Sequence, residues 1–453
     1  MSSFFYRNLK RQYPEISSGK GSWVVDCDGR RYLDACSGAV VCNIGHGVVE
    51  INEAIQQQLS QIAFAHSSQF VSEPALLLAE RLISKAPSRF RNGGRAYFVS
   101  GGSEAIETAL KMARGYFYEQ GMVQKRIAIA RRSSYHGSTH GALSVTGHPS
   151  RRAPYLPMLV DSPHISPSYP YRCPCESPAT CVSEACGLTL ANELEETILK
   201  LGAENVMAFV AEPVVGAALG AVAPHPGYFR RVREICDAHN VLLIADEVMT
   251  GMGRLGAEHG LSHFGIEADL IALGKGLAAG YMPLAAVLAS RKVVAAFEAN
   301  SGVFEHGFTY SAHPVSCAAG LAVLRYLDEH LLVARVAEWE SKVSQNLEGC
   351  FESGIVGDLR GKGFLWGLEI VSDRPSKLPF KANLRVSQGL AEAAANLGLL
   401  VYPGSGSVAG TGGDHVLVAP PFNLSEDDLE ELTVRLKTAL EHVAVKYKNA
   451  MAN

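Results

Sequence analysis

The chain has 453 residues, of which 47% are hydrophobic and 19% are charged. Its 41 basic and 45 acidic side chains leave a net charge of −4 without basic runs, which argues against nucleic acid as a partner. The apolar fraction excludes a disordered chain, and the length predicts two or three domains.

The start of the chain and its most apolar stretch bear on its location. The opening MSSFFYRNLKRQYPE has no apolar run, which is unlike a secretory signal. Residues 270–290 are interrupted by Lys275 and Pro283, so we interpret them as buried core rather than as a membrane span. We therefore expect a cytoplasmic protein with reduced cysteines and no membrane partner.

Six short apolar runs, each followed by a turn and a helical pattern, predict the strands of a mostly parallel sheet flanked by helices. These runs are residues 96–99, 127–130, 206–211, 241–245, 270–273 and 284–288. We expect an α/β fold with a large domain over residues 65–325. Residues 1–64 and 326–453 are expected to pair as a smaller α/β domain, which closes with a helix that opens at Ser425.

Two charged side chains follow directly on apolar strands. Asp246 closes the run VLLIAD, and Lys275 lies between two glycines after LIAL. Ligands of open α/β sheets bind at the carboxyl ends of the strands. An apolar setting lowers the pKa of a lysine and makes it a nucleophile toward carbonyls. Taken singly, each has a simpler interpretation, an aspartate that caps a turn or a lysine in a surface loop.

Two further signals stand at similar positions. The turn from Ser100 to Ser103 joins a strand to a helix, and free backbone N–H groups at a helix start bind phosphate. Tyr135 follows another strand, where it could stack on a planar ring or simply pack. With a carbonyl-capturing lysine and a carboxylate, these signals predict pyridoxal 5′-phosphate (PLP), whose chemistry needs a Schiff-base lysine. No strand is followed by G-x-G-x-x-G, which argues against a nicotinamide cofactor.

The sequence resembles the class III (ω-type) aminotransferases of PLP fold type I. The resemblance runs from Gly21 to Phe422 and is densest in ADEVMTGMGRLG, IALGKGLAAGYMPLAAV and HGFTYSAHPVSCAAG. It implies an aminotransferase in which Lys275 forms the Schiff base and moves a proton while Asp246 holds the ring nitrogen. It further implies a homodimer in which Thr309 reaches the phosphate of the neighbouring subunit.

The resemblance also assigns the other cofactor contacts. Backbone N–H groups of Gly102 and Ser103 would bind the phosphate, Val248 and Tyr135 would enclose the ring, and Glu212 would support the cofactor from behind. None of these roles calls for a metal. The implied reaction moves an amino group from a primary amine or ω-amino acid to an α-keto acid such as pyruvate. A PLP-dependent lyase or decarboxylase of a related amine is the alternative on the same fold.

Several positions depart from parts of this family. Met249, Ala217 and Ser138 replace a Gln, a Glu and an Arg of relatives that act on ornithine-type substrates or 4-aminobutyrate, and this favours the amine- or ω-amino-acid:pyruvate branch. That branch usually carries an Arg for the acceptor carboxylate, but Gly410 stands there in a glycine-rich loop. Val40 replaces a bulky aromatic, which predicts a roomier pocket.

Four cysteines cluster between residues 173 and 186. Cys173, Cys175, Cys181 and Cys186 have the spacing C-x-C-x₅-C-x₄-C, which differs from a pair of CxxC knuckles. A zinc ion, a loop with free thiols and a disulfide are the three interpretations, and the sequence leaves them open.

Overall fold

A computed structural model describes residues 3–175, 180–408, 410 and 412–452, with side chains described up to residue 447. The chain opens with three antiparallel strands and three helices. These are β1 (Ile16–Lys20), β2 (Trp23–Asp26), β3 (Arg31–Asp34), α1 (Ser37–Val40), α2 (Val49–Gln61) and α3 (Glu73–Lys85).

The middle of the chain alternates strands with helices, as the apolar runs predict. Its elements are β4 (Arg95–Val99), α4 (Gly102–Glu119), β5 (Ile127–Arg131), α5 (His140–Val145), α6 (Pro149–Arg152), β6 (His164–Ile165), α7 (Glu184–Leu201), β7 (Val206–Ala211), α8 (Tyr228–Ala238), β8 (Leu242–Asp246), β9 (Leu270–Leu273), β10 (Ala285–Ala289), α9 (Arg291–Glu298) and α10 (Pro314–Glu329). The strands form one seven-stranded sheet in the order β4-β10-β9-β8-β7-β5-β6, and β7 is buried along its whole length.

One strand of this sheet runs against the others. β10 pairs antiparallel with both β4 and β9, whereas β5, β7, β8 and β9 are parallel. A parallel crossover needs a dozen or more residues and usually a helix. Residues 274–284 provide only one short 3₁₀ turn, so the chain reverses direction there. The sheet is therefore mixed, although mostly parallel, and the reversal follows directly on Lys275.

The last part of the chain builds a second sheet and its covering helices. Its elements are α11 (Leu332–Glu348), β11 (Val356–Lys362), β12 (Leu365–Asp373), β13 (Leu378–Pro379), α12 (Val386–Asn396), β14 (Leu399–Leu400), β15 (Tyr402–Val408), β16 (Gly412–Val418) and α13 (Glu426–Ala452). The sheet order is β11-β12-β16-β15, with β13 beside β12. β14 instead pairs in parallel with β3, so the two ends of the chain share a sheet. The domain boundaries at residues 64 and 325 stay a prediction.

The glycine-rich segment before Asp414 differs from the expected loop. Most of it lies in β15 and β16, which pair antiparallel from Tyr402–Leu417 to Val408–Gly412. The two strands carry tyrosine or valine at their outer ends, which favour strand pairing, so the glycines between them do not prevent it. The closing helix begins as predicted, because the hydroxyl of Ser425 accepts the N–H of Asp428 at 3.0 Å.

Arg254 joins the two ends of the chain to the central part. It is 2% exposed, and its Nη1 donates to the carbonyls of Phe364 at 3.1 Å and Pro420 at 2.6 Å. Its guanidinium also lies 4.6 Å from the Phe422 ring. Burial lowers the pKa of Arg254 to about 9. Within the described residues, no helix is both long and apolar enough to cross a membrane.

Candidate active site

All but one of the predicted site residues line a single cavity of about 180 Å³ beside the ends of the central strands. They are Gly102, Ser103, Tyr135, Glu212, Asp246, Val248 and Lys275. Thr309 is the exception, since it is exposed and lies outside this cavity. A larger cleft of about 560 Å³ borders β2 and β3, but it brings none of the predicted residues together.

Asp246 is held at the end of β8 by two hydrogen bonds. Its Oδ1 accepts the N–H of Val248 at 3.1 Å, and its Oδ2 lies 2.8 Å from Nδ1 of His136. The ring of His136 is buried, and a carboxylate can only accept, so Nδ1 carries the proton. This histidine fixes the carboxylate in place while Asp246 still faces the cavity.

Sequence reasoning missed the role of His136. The residue stands in the Tyr135-His136-Gly137 motif, but its partner Asp246 is 110 positions away. The Nε2 atom of His136 is buried and has no hydrogen-bond partner among the described residues. Only the fold, which places the ends of β5 and β8 near each other, shows the pair.

Glu212 follows β7 and organises the opposite side of the cavity. Its Oε1 accepts the N–H of Tyr135 at 3.1 Å, and its Oε2 accepts the N–H of Gly216 at 2.9 Å. Arg131 donates to the Glu212 carbonyl at 2.5 Å. Burial raises the pKa of the Glu212 carboxyl, and the charge of Asp246 raises it further. Glu212 thus sets the position of Tyr135 through its backbone.

Lys275 lies in the turn between β9 and β10 with a φ of +45°, a conformation that L-residues seldom adopt. Its side chain lines the cavity and keeps some exposure there. Burial lowers its pKa to about 8, although the charges of Asp246 and Glu212 oppose the shift. A lysine with this pKa supplies a neutral, nucleophilic amine near neutral pH.

The start of α4 forms the fourth part of the site. The helix begins at Gly102, and its first turn leaves backbone N–H groups without partners inside the helix. A Cβ at Gly102 would lie 2.8 Å from Cγ1 of Val248, so only glycine lets the backbone approach this closely. The hydroxyl of Ser103 accepts the N–H of Ser138 at 3.0 Å. This helix start is suited to bind a phosphate.

These parts fit PLP by their chemistry. The amine of Lys275 can bond an aldehyde, Asp246 can accept a hydrogen bond from a protonated ring nitrogen, and the start of α4 can bind a phosphate. Val248 and Tyr135 offer an apolar and an aromatic surface beside the same cavity.

Tyr135, which lines the cavity, also contacts a residue outside the lining. The guanidinium of Arg151, in α6, lies 4.3 Å from the centre of the Tyr135 ring. Its charge contributes to lowering the pKa of Lys275, so the two cations act on each other electrostatically. A Cβ at Gly410 would collide with Pro149, so the glycine lets the β15–β16 hairpin pack against α6. Arg151 lies two residues after Pro149 in the same short helix.

The other positions at which the sequence departs from its relatives lie in or near the cavity. Ala217 and Met249 line the cavity, and the Ala217 carbonyl accepts a hydrogen bond from Nε2 of His415 at 3.2 Å. Ser138 lies beside Tyr135, with the two hydroxyls 3.2 Å apart. Val40 belongs to a buried cluster on which Met249 packs, and it does not itself line the cavity.

Comparisons of sequence agree with this geometry. A family model described as Aminotransferase class-III matches residues 6–440. The chain is 42% identical over 451 residues to the uncharacterized aminotransferase YodT of Bacillus subtilis, and the match covers 99% of each chain. It is 37% identical over 426 residues to vanillin aminotransferase of Capsicum frutescens, covering 92% of this chain and 89% of that one.

Comparisons of structure point the same way. The fold matches a PMP-bound aminotransferase from Vibrio fluvialis with a TM-score of 0.89 and 32% identity, over 98% of this chain and 96% of that one. It also matches an omega-aminotransferase from Paracoccus denitrificans with a TM-score of 0.90 and 33% identity, over 98% and 97% of the two chains.

Proposed function

The chain belongs to the class III aminotransferases, and on that premise we propose that it moves an amino group from a primary amine or ω-amino acid to pyruvate or a similar α-keto acid. It is a PLP-dependent enzyme of fold type I. The observation that carries the proposal is the convergence of Lys275, the Asp246–His136 pair and the start of α4 on one cavity. The similarity to vanillin aminotransferase supports an amine as donor.

We assign the residue roles as follows. PLP supplies an electron sink for the charge that develops on the substrate carbon. Lys275 would hold the cofactor through its amine. Once the amino group of the substrate has displaced it from that bond, Lys275 would move the proton of the substrate carbon as a free amine, for which its lowered pKa suits it. Asp246, oriented by His136, would keep the ring nitrogen protonated.

The other predicted residues would position the cofactor. Gly102 and Ser103 would bind the phosphate through backbone N–H groups, and Val248 and Tyr135 would pack on the ring. Glu212 acts through the backbone of Tyr135, to which it is hydrogen-bonded.

The proposal includes a cytoplasmic homodimer in which Thr309 binds the phosphate in the partner's site. Thr309 is exposed, as a residue that reaches another subunit must be. Next to it, Tyr310 is 60% exposed, and its ring centre lies 6.0 Å from that of the exposed Phe64. An exposed aromatic pair of this kind is typical of a surface that a partner covers.

We assign binding of the acceptor carboxylate to Arg151. A carboxylate is best bound by a planar guanidinium, which can donate two parallel hydrogen bonds. Arg151 lies against the ring of Tyr135, which lines the cavity, and its charge lowers the pKa of Lys275. It therefore supplies the function for which Gly410 has no side chain.

The reaction is tested by the visible absorption of the purified enzyme. Amines and ω-amino acids without a keto acid should bleach the cofactor band, and pyruvate should restore it. Product release without any amino acceptor, and with no reversible bleaching, would instead indicate the lyase or decarboxylase. Absence of a band after incubation with PLP would show that Lys275 and Asp246 are wrongly assigned.

A further inference from the structure

The four cysteines between residues 173 and 186 lie together in space. The Sγ atoms of Cys173, Cys175, Cys181 and Cys186 are all within 4.8 Å of one another. In a tetrahedral zinc site with bonds of about 2.3 Å, neighbouring sulfurs are about 3.8 Å apart. From this convergence we propose that these residues, the cysteine cluster, bind one structural zinc ion. The proposal is independent of the proposed reaction.

Hydrogen bonds hold the backbone of three of the four cysteines in place. The carbonyl of Pro170 accepts the N–H groups of Cys181 at 3.0 Å and Cys173 at 3.4 Å, so one oxygen brings two of the ligands together. Cys186 lies in the first turn of α7, where the hydroxyl of Ser183 accepts its N–H at 3.4 Å. The ligands are therefore held by a 3₁₀ turn and a helix start rather than by side-chain contacts alone.

The donor set selects the ion. Four thiolates in tetrahedral arrangement suit zinc or an iron–sulfur cluster. The core of a [4Fe–4S] cluster is larger than a single ion and would hold the four cysteine sulfurs farther apart. Sulfurs within 4.8 Å of one another therefore suit a single ion. A disulfide would join only two of the four sulfurs, at about 2.05 Å, and would give the other two no reason to converge.

The surroundings can balance the charge of such a site. Four thiolates and one divalent cation carry a net charge of about −2. Two cations lie at the adjoining segment: Lys377 donates to the Tyr171 carbonyl at 2.8 Å, and Arg172, which precedes the first ligand, is already paired with Glu369 at 2.6 Å. No carboxylate competes within the group of convergent ligands itself.

The position of the cluster indicates what the zinc stabilises. The residues just before it, Tyr169 and Tyr171, are buried with Val215 and Ala218, and Tyr135 packs against the same group. Tyr169 also donates a hydrogen bond to Glu369 in β12. The zinc would thus fix the segment that supports one wall of the active site. With all four positions taken by cysteine, it would be closed to substrate.

Metal content of the whole enzyme provides the test. Protein purified without chelator, in a buffer with a reducing agent, should contain about one equivalent of zinc per chain by mass spectrometry. Exchange with Co²⁺ should give the intense visible bands and thiolate charge-transfer bands of a tetrahedral sulfur site. Less than about a tenth of an equivalent, with no uptake after incubation with Zn²⁺, would overturn the proposal. Iron in place of zinc would also overturn it.

Variants separate this site from other thiols. Cys181→Ser combined with Cys186→Ser should lose the zinc and the Co²⁺ bands, and its melting temperature should fall. Cys27→Ser and Cys236→Ala, one exposed and one buried outside the cluster, serve as controls and should keep the full zinc content. If the double variant does not fold, the wild-type metal content still decides. Full zinc content in a folded double variant would disprove ligation by the cluster.

Discussion

Two regions of the active site are built in different ways. The strand-end wall of the cavity, with Lys275 and Asp246, stands at the ends of neighbouring strands of one sheet, and Asp246 is fixed further by His136. The outer region, with Arg151, lies beyond Tyr135 and outside the cavity lining, where α6 meets the β15–β16 hairpin, two segments that share no sheet.

This difference separates the residues that carry out the reaction from those that select the substrate. Groups at strand ends are held to a fraction of an ångström by the sheet, as proton transfer requires. Segments outside the sheet can change between relatives without disturbing it. We therefore expect changes in the strand-end wall to lower turnover and changes in the outer region to alter substrate binding.

The largest effect is expected from Lys275→Ala. Removing the amine should lower amine-to-pyruvate turnover by at least about a thousandfold, since no other lysine among the described residues lines the cavity. Lys200→Ala, on the surface of α7, is the control and should keep full activity. Turnover within tenfold of wild type would show that this wall does not carry the chemistry.

Asp246→Asn should come next, with a fall in kcat of about a hundredfold and a nearly unchanged KM for pyruvate. The substitution keeps the shape but removes the charge that faces the ring nitrogen. Steady-state kinetics with both substrates varied give the two constants. A large rise in KM with unchanged kcat would place Asp246 in substrate binding instead.

The pH dependence of PLP binding tests whether Lys275 is the amine that bonds the cofactor. Only the neutral amine attacks the aldehyde, so the rate at which cofactor-free enzyme takes up PLP should rise about tenfold per pH unit below pH 8 and level off above it. In Asp246→Asn the midpoint should move to lower pH, because the charge of Asp246 raises the pKa of Lys275. A rate independent of pH from about 6 to about 9 would contradict this assignment.

Arg151→Gln tests the role of the outer region in binding the acceptor. Loss of a charge-assisted, two-pronged hydrogen bond should raise the KM for pyruvate about tenfold or more, with a smaller change in the KM for the amine. Arg374→Gln is a matched control, because Arg374 lies 4.9 Å from the Phe351 ring at a distant surface. Equal kinetics in the two variants would exclude Arg151 as the carboxylate ligand.

The smallest effect is expected from Thr309→Ala. Loss of one phosphate hydrogen bond, about 1 kcal/mol, should weaken PLP binding about fivefold while leaving the dimer intact. Equilibrium titration of cofactor-free enzyme and sedimentation velocity measure the two quantities. A monomeric wild-type enzyme would refute the shared site.

The strand-end wall was largely predictable from the sequence. Asp246 and Lys275 each follow a fully apolar strand, and the fold places both at one edge of the sheet, where the family resemblance also assigns them. The antiparallel direction of β10 was not predicted, because an apolar run does not reveal its direction. Only the shortness of residues 274–284 indicates the reversal.

The outer region could not be predicted in the same way. The sequence does not show that Arg151 contacts Tyr135, nor that Gly410, far along the chain, packs against Pro149. The role of His136 was missed because its partner, Asp246, is 110 positions away at the end of another strand. The cysteine cluster is the opposite case. Its spacing is local and visible, but only the converging sulfurs favour one ion over free thiols.

Arg254 has a consequence for how the molecule unfolds. Its buried guanidinium donates to carbonyls of residues beyond position 360. If the C-terminal sheet separated from the rest, this cation would lose those partners in an apolar interior. Partial opening between the C-terminal sheet and the central sheet is therefore costly. Heating should give one calorimetric peak rather than a separate peak for each of these two sheets. Amide protons of Phe364 and of Leu243, in the central sheet, should accordingly exchange with deuterium at similar rates.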